Sequence, residues 1–273
     1  MLSRLESPFL ALACLAYLAA MLVFWAQLFL APSNRSEKQK RPLRGSGAHL
    51  LWLGAGLHLV SLAGQGQALF TVKAGAIGLF GWLLIVSFLI GAKRIGSGGG
   101  AAIAPISLCA ALFSLTAPQL HSWTPTDRLG ALWLVIHVGV ILSAYVALAF
   151  AFAFSLLGLM QERLLKKRQL SGLWQRLPSL QIADEWIFRA SALGVALLTL
   201  GIFTGVAFSP VESHGVLRDP KTIFSILTWT IFAGYLAARL KLGWHGRRSN
   251  LFVIYGFVVM AFSFFGVPHL VSQ

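Results

Sequence analysis

Seven histidines hold most of the chemistry open to this 273-residue sequence: His49, His58, His121, His137, His214, His245 and His269. Their positions relative to long apolar runs are informative. His58 falls about seven residues inside one end of a run, roughly 10 Å deep at a helical rise of ~1.5 Å per residue. His137 lies about nine residues into another run from the same side, so at a similar depth. His269 closes the last run at that face, and His121 and His214 occupy the two longest segments on that side. An imidazole nitrogen is a common axial ligand of haem iron, and an aromatic-rich apolar pocket suits the macrocycle. Two histidines at matched depth, with more at the same face, make His58, His137, His269 and His214 the candidate haem-binding residues. His58 and His137 are the candidate ligands to the iron. A lone intramembrane histidine can equally serve as a hydrogen-bonding partner to a neighbouring helix. His49, His121 and His245 read as interfacial or solvated.

Other chemistries find less material. All eight acidic residues lie in loops or at the ends of apolar runs. A carboxylate relay for protons or cations needs one inside the membrane, and neither paired carboxylates nor HExxH are present for hydrolysis. Cys14 and Cys109 sit in separate apolar runs without a CxxC, so they read as small buried apolar residues. Lys73, inside a run, is expected to snorkel outward near Gln65 and Gln67, or to meet a haem propionate. The glycine-rich 96–100 reads as a flexible turn, with no P-loop lysine after it.

These residues must be positioned by helices in lipid. The chain is 57% hydrophobic and 11% charged, and its mean hydropathy is +0.77. Soluble domains carry about 25% charged residues. Apolar runs near ~20 residues recur along the whole length, at 8–30, 47–65, 68–92, 101–118, 129–160, 186–208, 222–240 and 250–269. The expected fold is all-α: a polytopic membrane bundle of eight transmembrane helices in one domain, 1–273. The first run is too long for a signal-peptide core and reads as an uncleaved helix.

The net charge of +14 is concentrated in alternate loops, which argues for the positive-inside pattern rather than nucleic acid. Loops 31–46, 93–100, 161–185 and 241–249 hold the lysines and arginines; the other set holds only Arg4, Arg128, Arg218 and Lys221. Both termini are therefore expected outside the cytoplasm, and the membrane is expected to be a bacterial inner membrane. Residues 161–170 read as a helical continuation into the cytoplasm, with Trp174 and Leu177 in a short amphipathic stretch or a plain tether. Gly201 and Gly205, with Gly194 before them, mark a face open to close helix approach.

Segment 134–168 (LVIHVGVILSAYVALAFAFAFSLLGLMQERLLKKR) resembles the characteristic helix of cytochrome c assembly proteins of the CcsA/HemX type. There an outer histidine precedes a Ser/Tyr polar patch and a Gln-Glu-Arg exit, filled here by His137, Ser143, Tyr145, Gln161, Glu162 and Arg163. Segment 189–208 is similar to the family's Leu-Thr-Leu-Gly…Thr-Gly helix. Segment 219–248 supplies its Asp-Pro-Lys, a Trp (Trp229) and a Gly-Trp-x-Gly-Arg-Arg exit, and Phe264, Phe265 and Gly266 resemble the closing helix. The resemblance covers about 50–270. It implies haem presented on an outer tryptophan-rich segment flanked by two histidines: His137 as the first, His269 the nearest for the second, and His58 like an earlier intramembrane histidine. The outer loop here, SPVESHGVLRDPK, has no tryptophan, which is similar to the smaller HemX/YpjD-like branch.

The expected function is membrane haem binding or handling in cytochrome c assembly. The partners would be the lipid bilayer, with maturation components or apocytochrome c at the outer loop 209–221. No nucleic acid partner and no independent catalysis are expected, since the chemistry would belong to haem and substrate. The alternative is a non-catalytic regulator or assembly factor whose loop 161–185 binds a cytoplasmic partner such as a haem-synthesis enzyme. A small-molecule transporter is least supported, for want of buried carboxylates and broken helices.

Overall fold

A run of apolar residues in lipid can satisfy its backbone polar groups internally only as a helix or in a closed barrel. The computed structural model takes the helix throughout. It describes residues 3–30, 37–66, 68–116, 128–168, 177–207 and 220–266, and no strand occurs among them. In chain order the elements are α1 (Ser3–Trp25) with a π-helical turn Ala26–Leu30, α2 (Glu37–Gln65), the short α3 (Ala68–Thr71), α4 (Lys73–Thr116), α5 (Arg128–Lys166), α6 (Leu180–Ala207), α7 (Pro220–Leu242) and α8 (Arg247–Ala261), which ends in a second π-helical turn, Phe262–Gly266. Among the described residues, eight segments are long and apolar enough to cross a bilayer. The chain is a multi-pass membrane protein, as its apolar runs require.

Element α4 holds two of these spans, Lys73–Ala92 and Gly98–Thr116. Its limbs lie against each other as an antiparallel hairpin: a Cβ on Gly81 would stand 3.0 Å from that of Ala110, and Ser114 Oγ donates to the Ala74 carbonyl at 2.7 Å. The limbs meet between Ala92 and Gly98, and the glycine-rich 96–100, expected as a flexible turn, is helical. Two indoles pin neighbouring spans: Trp25 Nε1 donates to Ala101 O at 3.0 Å and Trp82 Nε1 to Ala55 O at 2.9 Å. In lipid such donors have no water to fall back on.

Span α5 is the centre of the bundle, largely buried, whereas α7 is mostly uncovered and borders the surroundings. On one side α5 meets α4, and α4 meets α1 and α2; on the other it meets α6 and α8, with α7 outermost against α6 and α8. The small-residue face of α6 lets α5 approach as expected. A Cβ on Gly194, Gly201 or Gly205 would run into Leu148, Ile141 or His137.

Two boundaries differ from the sequence reading. Helix α2 starts at Glu37, inside the basic loop, and α6 starts at Leu180 rather than near 186. The helical continuation of α5 holds through Lys166, so the loop 161–185 is shorter than its composition suggests. Leu177 is buried in the core, not laid along an interface, and Gln161 Nε2 donates to the Pro178 carbonyl. That bond ties the segment leading to α6 back onto α5. Trp174 lies outside the described residues.

Candidate functional site

His137 sits on α5 where α6 comes closest. Its Nδ1 is 3.0 Å from Thr204 Oγ1, and that hydroxyl donates its single hydrogen to Gly201 O, also at 3.0 Å. A hydroxyl that has spent its hydrogen can only accept. With the hydroxyl hydrogen on Gly201 O, Nδ1 carries the proton and Nε2 presents a lone pair, the tautomer a metal requires; with the hydroxyl donating to Nδ1, the proton sits on Nε2 instead. Gly205 gives the ring its room: a Cβ there would stand 2.9 Å from Cε1. His137 is half-buried, and the Lys221 ammonium of α7 lies within its electrostatic reach.

His58 has a different setting. It is fully buried on α2, its Nδ1 3.2 Å from the Tyr17 hydroxyl of α1. The two rings are tilted at 59° with centroids 5.9 Å apart. Its Nε2 has no hydrogen-bond partner among the described residues. A Cβ on Gly78 of α4 would be 3.5 Å from that nitrogen and 2.8 Å from Ser114 Oγ. A buried, unsatisfied ring nitrogen is costly and calls for a reason, such as a ligand or a water.

Both histidines fit iron by donor chemistry. His137 is half-buried with a hydroxyl at Nδ1, and a cation nearby suits a propionate. His58 has a spare nitrogen but is enclosed by α1, α2 and α4. They occupy separate interfaces, α5–α6 for one and α1–α2–α4 for the other. Between α4 and α5, aromatic rings fill the space: Phe264 lies 5.5 Å from Phe80 and 5.2 Å from Tyr145, centroid to centroid, and Phe265 lies 5.4 Å from Phe113. These rings come from the second π-helical turn, an irregularity often found at functional sites.

Lys73 departs from its expected role. Its Nζ donates to Phe265 O at 2.7 Å, closing the end of that turn. Ser143 is exposed and bonds Gly139 O on its own helix, while the buried Tyr145 hydroxyl lies beside Ser225 of α7. His49 is exposed. His245, also exposed, lies at the opposite end with the basic loops, its Nδ1 bonded to Gly243 O. His121, His214 and His269 lie outside the described residues, as do loop 209–219 and the outer partner surface expected there. Thr204, Tyr17 and Gly78 are the site neighbours that sequence reading missed. The Thr-Gly at 204–205 was the available signal, visible only as a packing motif.

A bundle of eight candidate spans with histidines lodged between them defines an integral membrane protein. The profile of the family described as "Cytochrome C assembly protein" matches residues 13–272, and the chain belongs to that family. It is similar to the "Cytochrome c biogenesis protein CcsA" of Synechococcus sp. (strain CC9902), 34% identical over 193 residues, covering 61% of this chain and 63% of that one. Similar proteins of the same name occur in Guillardia theta, 31% identical over 194 residues and 63% of each chain, and in Chlamydomonas reinhardtii, 32% identical over 174 residues, 62% of this chain and 48% of that one. The chain thus spans under two thirds of the length of these relatives. No solved structure matches it.

Proposed function

We propose that this protein binds haem and handles it during cytochrome c assembly, with His137 as the principal iron ligand. The observation that carries the reading is the Thr204 hydroxyl 3.0 Å from His137 Nδ1, an orienting partner that, when it accepts from Nδ1, leaves Nε2 to ligate. Family membership and relatives named for cytochrome c biogenesis support it. His58 is a second ligand in a separate pocket, reached when α1, α2 and α4 part. His269 and His214 are outer-face candidates, and Lys221 is the counter-charge for a propionate. Bound haem would supply the vinyl groups on which thioether attachment takes place; this chain's residues hold, orient and shield it. Basic loops face the cytoplasm, both termini face outward, and the membrane is a bacterial inner membrane. The HemX-like branch is favoured by the outer loop without tryptophan. Partners would be maturation components or apocytochrome c at the outer face.

The test is an optical spectrum of the detergent-purified protein, oxidised and reduced, beside His137→Ala and His58→Ala. A Soret band with sharp reduced α and β bands, lost in His137→Ala, is the expected result. A featureless spectrum after haem addition would remove the proposal.

A regulatory reading has its own observation. Helix α5 projects past its span with Arg163 and Lys166 in its last turn, followed by the exposed Lys167 and Arg168. A cytoplasmic partner captured by this projection, and released when its charges are neutralised, would favour it.

A further inference from the structure

At the end of the bundle that carries the basic loops, α5, α6 and α8 line an open cavity of about 260 Å³. Its polar lining comes from Glu162 of α5, Gln181 and Asp184 of α6, His245, and Asn250 of α8. The Gln-Glu-Arg exit of α5 and the Gly-Trp-x-Gly-Arg-Arg segment before α8, far apart in sequence, meet here.

The charges in this cavity do not cancel. Asp184 is matched by Arg239, whose two nitrogens reach its two oxygens at 2.7 and 2.6 Å. Glu162 makes no ion pair among the described residues. Its Oε1 lies against Gly246, 3.0 Å from where a Cβ would stand. Gly246 precedes α8 at φ 68° and offers no side-chain cap. One negative charge therefore remains inside.

A second observation points to a ligand. Asn250 is 4% exposed, and its carboxamide lines the cavity without a hydrogen bond to any described residue. Gly158 makes space for it, since a Cβ there would stand 2.8 Å from Asn250 Nδ2. His245 borders the cavity, its Nδ1 donating to Gly243 O at 2.7 Å and its Nε2 facing Asp184 at 3.9 Å.

The lining is mainly apolar, and Glu162 and Asn250 are the polar groups it leaves without an ion pair or a side-chain hydrogen bond to a described residue. No three His, Cys, Asp or Glu side chains among the described residues are close enough to hold a metal ion. The arrangement suits a donor with several N–H bonds spread over a wider radius. The first two residues of α8, Arg247 and Arg248, are exposed beside the cavity. An acidic interior with a basic rim matches a ligand that carries an ammonium and, beyond it, a phosphate.

We infer that this cavity binds a primary ammonium group through Glu162 and Asn250, delivered by an aminophospholipid headgroup or by a soluble amine. The experiment is native mass spectrometry of the whole protein in detergent with equal amounts of phosphatidylethanolamine, phosphatidylcholine and phosphatidylglycerol. Phosphatidylcholine is the control, because its quaternary nitrogen has no N–H to donate. A lipid source predicts one phosphatidylethanolamine per chain, preferred about tenfold over phosphatidylcholine, displaced by free ethanolamine, and weakened in Glu162→Gln and Asn250→Leu. Thermal stabilisation by ethanolamine without any lipid preference also supports the ammonium site and assigns it to a soluble amine. Wild-type protein that retains the three lipids equally and ignores ethanolamine overturns the proposal, whatever the variants do.

Discussion

Thr204→Val separates a haem-ligand histidine from one that merely packs. Valine keeps the shape of the side chain and removes the oxygen that accepts from His137 Nδ1 at 3.0 Å. Leaving a buried donor unpaired costs about 1–3 kcal/mol. His137 is half-buried and its ring also lies beside the Gly201 carbonyl, so the lower half of that range applies, ~1–2 kcal/mol. At ~1.4 kcal/mol per decade this is roughly a five- to thirtyfold loss of affinity. Removing a partner that orients a metal-bound histidine costs 10–100-fold by experience with other sites, and the two ranges overlap near ~10–30-fold. The loss has a mechanism: without Thr204 the proton can move to Nε2 and block the iron. The assay is haem titration of the purified protein, read at the Soret band. Thr204→Ser should stay within about threefold of wild type because its hydroxyl bonds in the same way. Thr199→Val, on the same helix, removes a bond from Trp229 Nε1 at 2.8 Å and should leave haem affinity unchanged. The reasoning fails if Thr204→Val binds haem like wild type, or if Thr204→Ser is as damaged as Thr204→Val.

Three further outcomes are expected. Tyr17→Phe leaves both nitrogens of the buried His58 without a partner and should cost about 1–3 kcal/mol in detergent unfolding; adding His58→Leu should restore most of it, and no restoration would mean that Tyr17 acts by packing alone. Arg239→Met strips Asp184 of two charged hydrogen bonds, a loss of roughly 1.5–3 kcal/mol, and Arg239→Lys should rescue little because an ammonium cannot reproduce the fork. Single cysteines placed at Lys167 and at Glu212, in a background without Cys14 and Cys109, should be labelled by an impermeant reagent from opposite sides of the membrane; labelling from the same side would refute the topology read from the basic loops.

The spans were legible because a bilayer imposes them: each apolar run had to become a helix, whatever its neighbours. Boundaries were harder where polar residues find partners across the fold. Asp184 and Glu185 read as loop, yet α6 begins at Leu180, because Asp184 gains Arg239, 55 residues away. Lys73 read as a surface seeker until the Phe265 carbonyl, 192 residues on, supplied its acceptor. The histidines followed the same pattern. Their types and depths were visible, but depth along a helix says nothing about which interface the side chain enters. Helix packing put His58 against Tyr17 and His137 against Thr204, on different sides of the aromatic cluster around Phe264. Two histidines at one depth therefore need not share an iron. Each instead meets a hydroxyl at Nδ1, at 3.2 and 3.0 Å, and Nε2 of the buried His58 has no hydrogen-bond partner among the described residues. A hydroxyl that orients each ring, rather than proximity of the two, is the stronger physical argument that they are placed to ligate.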